Sequence, residues 1–262
     1  MLENEEIVDL FKKSLSATVK SIGKSGKIEI NFVDKNSSIN GKQVNLANPS
    51  ISSLKNNLTY LRAEADAMAL EFRLHDSQIH KKHLSSNDTA NEIFRVLEQS
   101  RIEAKGSDIF KGIKLNIHNK HNVDLKNINE KNSEKDYLVN AFKYVSYGEL
   151  TSQTLDGRYL SYKKIIKKKL GDQYSNYFNK LRNNIDNQEN FANQIQLILD
   201  NLGFFKKINT DDSEKKSLEK NDESVDNKKN DNDTNGKNDK IDNKYDLELL
   251  SDETQPSAVD EN

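Results

Sequence analysis

The stretch SSLKNNLTYLRAEADAMALEFRLHDSQIHKKH, residues 52–83, decides the fold. Within it Leu54, Leu58, Leu61, Ala65, Met68, Phe72, His75 and Ile79 alternate spacings of four and three. That is the period of a helix packed along its length, and strand alternation cannot produce it. One position further on, Arg62, Asp66, Arg73, Asp76, His80 and His83 form a polar stripe, so the predicted helix has an apolar side and a charged side. Ser85, Ser86, Asn87 and Asp88 then supply cap residues for a second helix with Ala90, Ile93, Phe94, Leu97, Arg101 and Ala104 facing inward. Gly106 stands where a left-handed C-terminal cap belongs. Two helices joined by so short a turn are expected to pack antiparallel.

Upstream, residues 3–22 predict a helix with Ile7, Leu10, Phe11, Leu15, Val19 and Ile22 on one face, ended by Gly23. Residues 27–33 and 43–46 alternate as strands around an Asn40-Gly41 turn and predict a small β-hairpin. Downstream, residues 107–132 read as a polar connection. Ser133 and Asp136 form a capping box for a helix that buries Leu138, Ala141, Phe142 and Val145 and stops at Gly148. Residues 158–170 read as a basic amphipathic helix, residues 174–181 as another. Asp186 and Glu189 are expected to box the start of a last helix carrying Phe191, Ile195, Ile198, Leu199 and Leu202.

The chain is 34% hydrophobic and 31% charged, so part of its 262 residues cannot bury a core. Residues 209–262 hold 17 acidic and 8 basic side chains, net −9, whereas residues 1–208 hold 25 and 32, net +7. The composition of residues 209–262 cannot recover the cost of ordering a backbone. The expected plan is a mainly α domain over 1–208 with the hairpin near its N-terminus, then a disordered acidic linker or tail over 209–262, in which residues 245–250 are the only apolar patch. The absence of cysteine excludes disulfides and thiol chemistry. With no long apolar run and an acidic N-terminus, the expectation is a cytoplasmic protein without a membrane role.

Asp76, His80 and His83, at i, i+4 and i+7, would present a carboxylate and two imidazoles to one divalent metal if they shared a helical face. The plainer alternative is a solvated stripe in which Asp76 pairs with His80 and Arg62 with Asp66. No resident metal is expected. His75-Asp76 resembles the pair of an HD-type phosphohydrolase, but no histidine precedes His75 to complete such a site. His75, on the apolar seam, is expected to be buried with a hydrogen-bond partner. Gly23-Lys24-Ser25 fails as a phosphate loop, because the first glycine of that motif falls on Thr18 and the segment follows a helix. Lys163, Lys164, Lys167, Lys168 and Lys169 offer an anion-binding face, with an ordinary solvated face as the alternative. Glu98, Arg101 and Glu103 are expected to form structural ion pairs.

The central stretch resembles a known family. Residues 61–70 (LRAEADAMAL), then Arg73, His75 and Asp76, then residues 97–106 (LEQSRIEAKG) are similar to the N-terminal region of CobT, with Ala63 in place of the family's glycine. CobT is the adaptor subunit of the aerobic, ATP-dependent cobaltochelatase. The helix at 188–203 is a weaker echo. The resemblance implies a role in cobalamin biosynthesis beside a large chelatase subunit that holds the corrin-type macrocycle (hydrogenobyrinic acid a,c-diamide in the family) and a hexameric AAA+ ATPase. ATP, magnesium and cobalt would be used by the complex, and no cofactor or catalytic residue is expected on this chain. Family members also carry a von Willebrand factor A domain with a D-x-S-x-S metal site; the nearest approach here, Asp222-Glu223-Ser224-Val225-Asp226, lacks the last serine.

On this view Arg62, Asp66, Arg73, Asp76 and His80 would form a partner-docking surface, and nucleic acid is not an expected partner. The alternatives are a metal-dependent hydrolase centred on Asp76 and His80, and a basic helical module binding nucleic acid or other anions through residues 163–169.

Overall fold

A capping box opens helix α2 (Ile51–Leu74): the Ser50 hydroxyl accepts from the Ser53 amide, and the Ser50 amide donates back to the Ser53 hydroxyl. The helix stops at Leu74. His75 and Asp76 are extended, and the Asp76 carboxylate accepts the Gln78 and Ile79 amides at 2.8 and 3.3 Å to start the short α3 (Ser77–Lys82). The continuous helix expected over 52–83 is therefore two helices. An aspartate able to satisfy the orphan amides of a new helix competes with continuation of the old one.

In the computed structural model the described residues are 4–34, 37–128 and 133–204. Before α2 come α1 (Asn4–Ile22), β1 (Glu29–Val33), β2 (Ser38–Asn40) and β3 (Gln43–Ala47). After α3 come α4 (Asp88–Ile109), α5 (Lys111–Asn127), α6 (Glu134–Thr151), α7 (Tyr159–Leu170), a 3-10 turn (Gly171–Gln173), α8 (Tyr174–Asn183) and α9 (Gln188–Asn201). The fold is mainly helical with a small sheet near the N-terminus, as expected. The acidic segment 209–262 and its apolar patch lie outside the described residues. Among those described, no helix is long and apolar enough to cross a membrane.

The sheet has the order β1-β3-β2. β1 pairs with β3 in parallel, Ile30 opposite Val44, and β2 pairs with β3 antiparallel, Ile39 opposite Val44. This corrects the predicted hairpin. The two long strands are neighbours, but the hairpin at Gly41 (φ +55°) joins β3 to the short β2, because a tight turn can connect only strands adjacent in sequence.

Helix α4 is central, packing on α2, α5, α6 and α9. It does not end at Gly106 but runs to Ile109, and most of the expected connection is α5, whose Ile113, Ile117, His121 and Leu125 are buried at spacings of four. Gly106 is instead a close crossing, since a Cβ there would run into the Leu70 side chain. Gly148 likewise lies against Tyr159 while α6 continues to Thr151, and Ser152, at φ +54°, supplies the left-handed cap. The Ser133–Asp136 capping box forms as read. The one expected at α9 does not: Asn187 is the cap, its side chain accepting the Asn190 amide at 2.9 Å.

Candidate functional site

Glu98 and Arg101 are one turn apart on the buried face of α4. Arg101 Nε donates to Glu98 Oε2 at 2.9 Å and Nη2 to Oε1 at 2.7 Å, and the Glu98 carboxylate also meets His75 Nδ1 at 3.1 Å. Burial would raise the Glu98 pKa, but hydrogen bonds from Arg101 and His75 outweigh it and hold the carboxyl below its ordinary range. Arg101 further donates to the Leu74 carbonyl at 2.8 Å and the Ile185 carbonyl at 3.3 Å. One guanidinium thus satisfies an orphan carbonyl at the end of α2 and holds the loop before α9.

Gln188, the first residue of α9, completes the joint. Its Oε1 accepts the Asp76 amide at 2.8 Å and its Nε2 donates to the Asp76 carbonyl at 2.9 Å. His83 Nε2 meets Glu189 Oε1 at 3.3 Å, while the His83 ring stacks on Phe94 and the His80 ring stands edge-on to it. The break between α2 and α3 is therefore clamped from α4 and α9.

Five residues along α4 from Glu98 lies a second acid-base group. The buried His121 donates through Nε2 to Glu103 Oε2 at 2.7 Å, and Gln99 donates to the other oxygen at 3.1 Å. Burial opposes ionisation of Glu103, yet His121 and Gln99 hold its pKa low. Next to it Lys120 donates to Asp124 at 2.8 Å, and Asp124 accepts from the Tyr60 hydroxyl, also at 2.8 Å. Burial, chiefly, pushes the Tyr60 phenol up to about 12. Lys143, 3.9 Å from Asp124, is held below the usual ammonium range by burial and by Lys120.

Both groups open onto one cavity of about 760 Å³ between α2, α4, α5 and α6, bounded on one side by residues 37–41 of the sheet. Ser37 ties that rim to α2, donating to Glu64 Oε2 at 3.1 Å. Glu71 faces the cavity without a hydrogen bond to its carboxylate among the described residues. Burial raises its pKa against the opposing pull of His75 and Arg95, and Glu98 and Glu103 add to the rise. Glu64, Glu71, Glu98 and Glu103 share the walls with Arg95, Lys120 and Lys143, so a polar occupant would find both charge signs there.

The structure disperses the predicted polar stripe. Arg62 and Asp76 face solvent; Asp66, His80 and His83 are buried. Asp66 accepts from Asn116 Nδ2 at 2.8 Å, and burial raises its pKa. Arg73 is half-buried, donating to the Ile22 carbonyl at 3.3 Å over the Phe110 ring. Asp76, as the α3 cap, lies outside the helix that carries His80, so the i, i+4, i+7 face does not exist. Among the described residues no group of three or more His, Cys, Asp or Glu is placed to hold a metal ion. The Glu98–Arg101 pair forms as read. Lys120, His121 and Asp124 were hidden in a segment read as a connection; the signal that reveals them is the four-residue spacing from Ile113 to Leu125. Gln188 was singled out only as the start of the weaker family-like echo at 188–203; its role in this joint could not be read there, because its partner is a backbone 112 residues away.

The fold and this seam define a helical protein organised around buried acid-base networks where α2 meets α4, with much of the resembling sequence, Glu64, His75, Glu98, Gln99 and Glu103, on one cavity wall. A family model described as "Cobalamin biosynthesis protein CobT" matches residues 5–262, and the chain belongs to that family. Its setting is cobalamin biosynthesis. No solved structure matches the chain.

Proposed function

We propose that the chain is a non-catalytic subunit of a cobaltochelatase, supporting ATP-driven insertion of cobalt into a corrin-type macrocycle in the cytoplasm. Membership of the CobT family carries this reading. Its partners would be an AAA+ ATPase subunit and a large macrocycle-binding subunit, on which ATP, magnesium and cobalt are used. The convergence of the family-like residues on the α2–α4 seam supports a scaffold role, since those side chains are spent on joining helices. Of the residues expected to dock partners, Arg62 and Asp76 are the exposed ones, with half-buried Arg73 beside them. A hydrolase centred on Asp76 and His80 has less physical support, because the Asp76 carboxylate is engaged by two backbone amides.

The test is reconstitution. The chain is co-expressed with the ATPase and large chelatase subunits from the same genome, and co-purification and ATP-dependent cobalt insertion are measured with and without it. Co-purification, with insertion that needs the chain and weakens in Arg62→Glu, is the expected result. Insertion at full rate without the chain, with no co-purification, overturns the proposal.

A further inference from the structure

Helix α7 carries five lysines in seven positions. Lys163 is neutralised by Glu149, and Lys167 lies over the Tyr174 ring at 5.4 Å. Lys164, Lys168 and Lys169 are exposed and have no ion-pair partner among the described residues. Leu160, one turn before Lys164 and two before Lys168, is 60% exposed. Spacings of four put Leu160, Lys164 and Lys168 on one outward stripe, an apolar contact followed by two ammonium groups. Lysines in the last turn suit the dipole of their own helix, which explains their tolerance there but leaves their charge unanswered.

The same chain contains a complementary sequence. Residues 245–262 hold six acidic side chains and no basic one, and within 245–250 Asp246 and Glu248 alternate with Tyr245, Leu247 and Leu249. Tyr245 follows Phe204, the last described residue, by 41 positions. A chain of that length spans up to about 140 Å, so covalent reach excludes no face of the domain. Exposed ion pairs are individually weak and screened by salt. A tethered segment acts at an effective concentration on the order of millimolar, which compensates for weak contacts.

We propose that residues 245–250 dock on the outward face of α7 in the same chain, the leucines against Leu160 and Asp246 and Glu248 against Lys164 and Lys168. This is independent of the cobaltochelatase reading. Docking would cover the unpaired positive charge of α7 and withhold it from other acidic partners.

The absence of cysteine makes the test direct. Ser251→Cys is introduced in the full chain and coupled to a nitroxide, and backbone amide intensities are compared with the label oxidised and reduced. The amides of Leu160, Lys164 and Lys168 are expected to lose more than about half their intensity in dilute buffer. They should recover near 1 M salt, where the Debye length is about 3 Å. Lys164→Glu/Lys168→Glu, at exposed sites and with an unchanged α4 spectrum, should abolish the loss, and Leu247→Ser/Leu249→Ser should reduce it. The proposal is overturned by attenuation absent from α7, by attenuation centred on another exposed apolar residue such as Leu115 of α5, or by attenuation that survives charge reversal. It is equally overturned if the effect transfers from labelled chains to isotope-enriched unlabelled ones, which would make the occupant a second copy.

Discussion

Glu98 and Arg101 form a closed pair inside the protein: two hydrogen bonds join them, and their side chains are 3% and 2% exposed. The guanidinium spends its remaining donors on Leu74 and Ile185, so the pair fastens α2 and the α9 approach to α4. Removing one partner strands a buried charge, which costs about 3–5 kcal/mol, whereas removing both together costs less. Arg101→Met should therefore lower unfolding free energy in urea by that amount, and Glu98→Gln/Arg101→Met should recover part of the loss. Additive losses would show that the two residues act separately.

At Gly106 two effects have opposite signs. Helix propensity favours alanine over glycine in a helix interior by about 1 kcal/mol. The collision of a Cβ with Leu70 costs about 1–3 kcal/mol. We expect Gly106→Ala to destabilise, and its cost to shrink in a Leu70→Ala background. Stabilisation by Gly106→Ala alone would mean that the α2–α4 crossing has room to spare.

The carboxylates of the seam make opposite contributions to pH dependence. Glu98 and Glu103 have folded pKa values below their unfolded ones, so their stabilisation is present above the unfolded pKa and is lost as pH falls through the folded values. Glu71 is raised, so it binds its proton more tightly in the folded state and costs stability once pH exceeds its unfolded value of 4.5. Glu71→Gln should raise the urea midpoint at pH 7, with the advantage vanishing as pH approaches 4. A midpoint at pH 7 that falls instead would show that the carboxylate is compensated.

Gln188 imitates a peptide group in both directions against Asp76. Gln188→Ala loses two hydrogen bonds, at about 1 kcal/mol each. The loss is expected to be local: amide exchange in α9 should accelerate while α4 stays protected. Gln188→Glu cannot donate to the Asp76 carbonyl but keeps the acceptor for the Asp76 amide and for Arg101 Nη2, 3.4 Å from Oε1, so it should loosen α9 less than alanine does. Hydrogen exchange read by mass spectrometry separates the two.

The sequence by itself determined the helical class, the apolar faces of α4, α6, α7 and α9, and the capping box at Ser133. These depend on the period of neighbouring side chains and on contacts within one turn, which the chain carries wherever it lies. Of the seam read on α2, by contrast, only Ala65 is fully buried, and the helix buries Ala63, Ala67, Ala69 and Leu70 beside it. The parallel pairing of β1 with β3 and the clamping of the break at His75 and Asp76 from α4 and α9 were decided by tertiary structure. So were the roles of Gly106 and Gly148 and the gathering of Glu98, His75, Arg101 and Gln188 into one joint. In each case the deciding partner is distant in sequence: Leu70 fills the space over Gly106, and Gln188 reaches Asp76 across 112 positions. Only packing brings such partners together, and there the cost of leaving a buried charge or peptide group unpaired selects the arrangement.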